Sequence, residues 1–287
     1  MGRNESQRIK LHGKAVAVAN HIVWMQGWQD SPQDSIATAT RHQTTHGTGD
    51  HPGQSSLHLH ATLGKCLRGK LFACAFNLLL GFAGLLSFGH AAFLGSAGYV
   101  CGMLVRDVGV TPEVGIIGGT LAAGALGWVI GVLAIRRTGI YFAMITLALA
   151  QMIFFVALQA NFTGGEDGLQ GVPRGKLFGM FSLADDLTIY YLVLAVVAAA
   201  FALIVRTIHS PFGQVLKGIK ENEPRALSLG YDVARFKLLA FVISAALTGL
   251  AGSLKTLVLG FASLSDVHWT ASGQVILMTL VGGLGTL

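Results

Sequence analysis

Charged residues are scarce in this 287-residue chain: Asp, Glu, Lys and Arg together make up 12% of it. No Asp or Glu occurs from Ile116 to Gln159 or from Ile189 to Val205. An ordinary soluble domain carries about 25% charged residues, so the composition excludes one. A secondary carrier needs a coupling-ion site, typically a carboxylate at a broken membrane helix, and the two carboxylate-free stretches argue against it. Cysteine is sparse as well. Cys66, Cys74 and Cys101 are odd in number and lack metal-ligand spacing, so we read them as reduced, small packing residues. No Gly-Lys-Ser/Thr sequence completes a glycine-rich loop, so the chain holds no P-loop. A process driven by ATP would need its nucleotide site on another subunit. Ala15–Met25 is too short and too interrupted to read as the apolar core of a secretory leader.

Apolar residues, in contrast, form 52% of the chain, and the mean hydropathy is +0.60. They concentrate after residue 70, in runs over 71–105, 112–135, 138–160, 188–205, 238–260 and 271–287. Several reach the ~20 residues that cross a hydrocarbon layer of ~30 Å. Inside lipid each backbone polar group needs an internal partner, which makes helices the default. The sequence therefore predicts an all-α polytopic integral membrane protein with about six or seven transmembrane helices. The net charge of +6 invites a nucleic-acid reading, but the basic residues cluster at the ends of apolar runs, where topogenesis explains them better.

Residues 1–65 differ in style. They are polar and contain His12, His21, His42, His46, His51, His58 and His60. The spacings match no zinc pattern, so no metal site is assigned. Residues 1–70 are expected to be a disordered or mistranslated extension, and a wrong start or frameshift is the favoured origin. The last apolar run, Ala271–Leu287, ends without a polar flank, and the chain is expected to be cut inside an element.

Arg136-Arg137 and the basic stretch 206–237 are both expected on the cytoplasmic side. Helix 138–160 then runs outward and 188–205 returns. Loop 161–187, with Glu166, Asp167, Asp185 and Asp186, is thus external, as are Arg106–Glu113 and Ser263–Thr270. Residues 66–105 resist the scheme, because Lys65, Arg68 and Lys70 precede an apolar run broken by Gly81, Gly84 and Gly89. Two arrangements fit: a re-entrant piece followed by one tilted helix, or a hairpin of two short segments.

Between two apolar runs lies a polar elbow, Ser210-PFGQVLKGIKENEPRALSLGYDVARFK. Ser210 is placed to N-cap a short helix with Pro211 in its first turn. Pro224 opens a second helix, and Gly230 supplies a left-handed stop. Such an elbow is either a docking element or a solvated connector obeying the positive-inside rule.

Two stripes of small residues, Gly115/Gly119/Ala123/Gly127/Gly131 and Ser244/Thr248/Gly252/Thr256, are expected to be interhelical contacts. Asn77, Ser87, His90, Thr146, Gln151 and Ser244 are polar groups inside apolar runs, and so candidate pathway or helix-break residues. Ser87 and His90, three apart, would share one helix face, and a nucleophile–base pair of an intramembrane hydrolase is conceivable. No third orienting group accompanies them.

Three blocks together resemble the inner-membrane permease of bacterial branched-chain amino-acid ABC importers. They are Asn77-LLLGFAGLLSFGHAAFLGSAGY, Thr138-GIYFAMITLALAQMIF with Phe162-TGGEDGL, and the elbow continued through Lys237-LLAFVISAALTGLAGSL. The resemblance covers roughly 75–287. It implies that 71–287 is a permease domain in the bacterial inner (plasma) membrane. The expected partners are a second permease subunit, two cytoplasmic ATPases and a periplasmic amino-acid-binding protein, with no cofactor and no nucleic acid. It implies no enzymatic activity in this chain. It also implies that the loop 206–237 seats in the ATPase, which makes Gln214, Lys217, Lys220, Glu223, Arg225, Ala226, Gly230 and Asp232 candidate coupling residues. Glu223, Ala226 and Gly230 match the family's Glu-Ala-Ala…Gly loop, though Pro224 and Arg225 depart from it. Glu166 and Asp167 are candidates for docking the binding protein. A secondary carrier, a channel-like protein, the Ser87/His90 hydrolase and a purely structural subunit are the alternatives.

Overall fold

In the computed structural model, residues 67–137, 139–160, 163–173, 175–177, 181–182 and 186–285 are described. The His-rich extension to residue 65, Cys66, and Arg174 and Asp185 of the outer loop lie outside them. Helix α1 covers 67–77 and continues directly into a π-helical turn, Leu78–Ala83. It is followed by α2 (His90–Arg106), α3 (Pro112–Ala134), α4 (Ile140–Gln159), α5 (Asp186–His209), α6 (Pro211–Glu221), α7 (Glu223–Ser228), α8 (Val233–Leu259) and α9 (Trp269–Gly282). A two-residue ladder, β1 (Lys176–Leu177) antiparallel to β2 (Phe181–Ser182), is the small exception to an all-α polytopic architecture. Among the described residues, four helices are long and apolar enough to cross a membrane: α3, α4, α8 and the Leu187–His209 part of α5.

The apolar run 71–105 is two helical pieces. Gly84, with φ +69°, ends the π-turn in a left-handed conformation that a side chain would strain. Residues 84–89 are then non-helical, and α2 starts afresh at His90. Of the two arrangements left open by the sequence, the hairpin of two short segments fits, since α1 runs antiparallel to α8 and α2 parallel to it. The axes are fixed by side-chain contacts with α8: Ala75 meets Ser244, and Arg68 meets Lys255 further along.

Small residues bring α2, α3 and α8 together. A methyl group on Gly119 would meet Ala97 and Ser253, on Gly127 Ala245, on Gly249 Ala123, and on Gly252 the backbone of Leu94. Both stripes are thus helix crossings, where close backbone approach replaces the hydrophobic driving force that lipid cannot supply. In α8, 67% of the most apolar window is buried, against 28% in α4 and in α5, so α8 is the central helix of this group.

The antiparallel crossing of α3 and α8 sets two ends. Gly131, near the end of α3, faces Leu238 near the start of α8, so Arg136-Arg137 and the elbow lie at one end. At the other, Leu169 forms a bridge with Ala262, Arg106 donates to the Gln170 carbonyl, and Lys255 pairs with Asp266 at 2.5 Å. Arg68 sits on this second side, donating to the Lys255 carbonyl at 3.3 Å. Its position explains why a simple count of basic residues failed at 66–105.

Candidate functional site

A helix that begins inside an apolar layer leaves its first N–H groups without intrahelical partners. Around the 84–89 break, hydroxyl groups from two helices and from the break itself act as partners. Phe88 N donates to Thr146 Oγ1 on α4 (3.2 Å), and Gly89 N donates to Ser87 Oγ (3.1 Å). Ala91 N donates to Ser272 Oγ on α9 (2.9 Å). Thr146 passes its own proton to the Ala143 carbonyl. Upstream, the N–H groups of Gly84 and Leu85 both reach the Leu79 carbonyl. Asn77 Oδ1 accepts from Gly285 N at 3.0 Å. These hydrogen bonds at the break all join uncharged groups.

His90 adds one more to this set. Its Nε2 lies 2.9 Å from Ser244 Oγ, and Ser244 donates its proton to the Ala75 carbonyl at 2.5 Å. With that proton committed, Ser244 can only accept from the ring, which places the imidazole hydrogen on Nε2 and leaves Nδ1 a buried acceptor with no partner among the described residues. The rings of Phe76, Phe93 and Phe241 stand edge-on to the imidazole, with centroids 4.9, 5.7 and 6.0 Å away. His90 thus ties α1, α2 and α8 at one point. No hydrogen bond joins Ser87 to His90 among the described residues. Ser87 lies in the non-helical break with its hydroxyl on Gly89 N, and His90 is bonded to Ser244 instead. Gln151, half-buried on α4, joins none of these bonds, and its amide nitrogen has no partner among the described residues. Sequence reasoning missed Ser272. Thr270 and Gln274 flank it, so no local pattern singled it out before α9 was known to lie against α2.

The elbow is a folded unit with its own small core, Ile219, Ala226 and Val233, backed by Val215 and Phe236. Phe212 stacks on Phe236 at 5.6 Å. Asn222 caps α7 by accepting from Arg225 N at 3.1 Å, and Asp232 caps α8 by accepting from Arg235 N at 3.3 Å. Pro224 lies in the first turn of α7, and Gly230 has φ +84°, both as expected. Ser210 occupies the N-cap position of α6, yet its hydroxyl donates back to the Thr207 carbonyl at 2.6 Å. The Thr207 carbonyl at the end of α5, which also accepts from Ser210 N, competes for that hydroxyl and wins.

The candidate coupling residues divide into two groups. Lys217 and Lys220 turn toward the π-turn, Glu223 pairs with the buried Lys237 at 2.7 Å, and Ala226 is buried. Gln214, Arg225, Gly230 and Asp232 are exposed. So are three apolar residues that the sequence reading passed over: Leu227 is 57% exposed, Leu229 71% and Tyr231 42%. Leu227 lies off the buried face of the six-residue helix, and Leu229 and Tyr231 lie in the turn that follows it, where large apolar residues in a polar loop were the available signal. At the opposite end, Glu166 and Asp167 are exposed on a single 3₁₀ turn, Gly165–Asp167.

Comparison with known proteins agrees with this architecture. The chain is 28% identical over 233 residues to the high-affinity branched-chain amino acid transport system permease protein LivM of Escherichia coli, covering 73% of this chain and 55% of that protein. The Salmonella typhimurium protein of the same name gives the same identity and coverage. A probable branched-chain amino acid transport permease protein LivM of Methanocaldococcus jannaschii is 26% identical over 213 residues, covering 67% of this chain and 58% of that one. The chain thus spans somewhat more than half the length of these relatives. No solved structure matches significantly. Residues 69–287 match the family described as the branched-chain amino acid transport system permease component, and with three-quarters of its length inside that match the chain belongs to this family.

Proposed function

We propose that this chain is the inner-membrane permease subunit of an ATP-driven importer for branched-chain or related amino acids. In this reading ATP is hydrolysed by two partner subunits, a second permease completes the pathway, and a periplasmic binding protein delivers the amino acid. The observation that carries it is the elbow: a capped, internally packed pair of helices that holds Leu227, Leu229 and Tyr231 out to solvent. A solvated connector has no reason to display three large apolar side chains from a folded base, whereas such a patch suits a protein partner. The elbow shares its end with Arg136-Arg137, which supports a cytoplasmic position beside an ATPase. Glu166 and Asp167, on the opposite end, remain the proposed contact for the binding protein.

The test is co-purification with the ATPase subunits. Leu227→Glu combined with Leu229→Glu should lower ATPase capture by more than about tenfold, the scale expected for a central apolar contact. Neither residue belongs to the elbow core, so thermal unfolding should be unchanged. Undiminished ATPase capture by the double variant would sink this reading. Glu223→Lys is a poorer probe, because it also breaks the pair with Lys237.

A further inference from the structure

We propose that Lys220 is a positioning residue that links the elbow mechanically to the break between α1 and α2. The proposal rests on the coupling role given above to the elbow and names the path by which its movement leaves it. Three contacts carry it. Lys220 Nζ donates to the Gly81 carbonyl at 2.6 Å. Gly81 lies in the π-turn, whose last carbonyls have no helical N–H to accept from, and a lysine ammonium at a helix C-terminus is the favourable partner. The stem of Lys220 lies against Gly84, where an added methyl group would approach its Cγ to 3.1 Å. One turn away, Lys217 Nζ sits over the Phe82 ring, 5.4 Å from its centroid.

Both lysines of α6 therefore grip the segment directly preceding the break. They line a cleft of about 370 Å³ with Gly81, Phe82, Glu221, Leu284 and Gly285. In the same cleft, Gly285 N is held by Asn77 Oδ1 at the end of α1. A shift of α6 would thus pull on the π-turn before it reached any other part of α1. Four residues past Gly84, the Phe88 and Gly89 amides are held by the hydroxyls of Thr146 and Ser87, bonds that can be exchanged without leaving a buried charge.

Lys220→Met keeps the length of the side chain and removes the donor, and Lys220→Arg keeps a donor. In the purified chain, Lys220→Met should speed hydrogen exchange of the amides from Gly84 to Ala92 by about fivefold, the effect of one lost charge-assisted bond at a partly exposed site. Amides in the α3–α8 crossing should stay as they were, and Lys220→Arg should restore the slow exchange. In the assembled transporter, Lys220→Met should lower amino acid taken up per ATP hydrolysed by a similar factor, with ATPase capture intact. Unchanged exchange at 84–92, or a normal uptake ratio in the assembled variant, would overturn the linkage. So would loss of assembly in both variants, which would make the contact a folding element. If the wild-type chain shows no ATP-dependent uptake, the coupling reading itself has failed, and the exchange measurement still decides the contact.

Discussion

Replacing Ser244 by Ala would strip the His90 Nε2–H of its acceptor inside a box of three phenyl rings. A buried donor left unpaired costs about 1–3 kcal/mol, and thermal unfolding in detergent should register that loss in Ser244→Ala. Ser87→Ala removes only the acceptor for Gly89 N, and the expected cost is that of a lost helix cap, about 1 kcal/mol. The order of the two variants checks the assignment: if Ser87→Ala proves the more damaging, His90 is held by something other than Ser244. Polar residues in apolar runs were legible in the sequence, and Asn77, Ser87, His90, Thr146 and Ser244 all take part in the break or its flanks. Their pairing was not legible. Phe88 meets a residue 58 positions away, His90 one 154 away and Ala91 one 181 away, and no local period encodes such separations.

Among the elements, the α2–α8 crossing is the least forgiving, because it brings backbone against backbone. Gly252→Val would drive a side chain into the Leu94 carbonyl, and overpacking of this kind costs about 1–3 kcal/mol. Gly273 on α9 is the contrasting case. Nothing lies within 4 Å of the methyl group that Ala would add, and Gly273→Ala should be neutral or stabilise by about 0.5–1 kcal/mol. Thermal unfolding of both variants compares a crossing glycine with an open one, and equal effects would contradict the packing described. Small-residue spacing made this crossing readable in advance, since a residue repeated every four positions marks one helix face. The turns of the elbow were readable for a similar reason: Pro224 and Gly230 act through their own backbone preferences. The division of 71–105 was not readable, because Gly81, Gly84 and Gly89 each permit a break and only the contacts with α4, α8 and α9 choose where it falls.

For the molecule as a whole, the arrangement of charges makes a prediction about sidedness. In a background lacking Cys66, Cys74 and Cys101, Leu229→Cys should react with a membrane-impermeant maleimide only from the cytoplasm, and Glu166→Cys only from outside. Labelling of both from one side would invert or break the proposed topology. Helical class and membrane insertion followed from composition alone, whereas Arg68 could be placed only after α1 was seen to run antiparallel to α8. The hydroxyl-lined break has one further consequence. Its donors and acceptors are backbone amides, carbonyls, serines, a threonine and an imidazole with one hydrogen, so rearranging it carries no net charge through the layer. A displaced elementary charge would couple to the membrane potential by about 2.3 kcal/mol per 100 mV. Among these groups that work is close to zero, so any voltage dependence in the bending of this joint rests with the Lys220 ammonium at its edge.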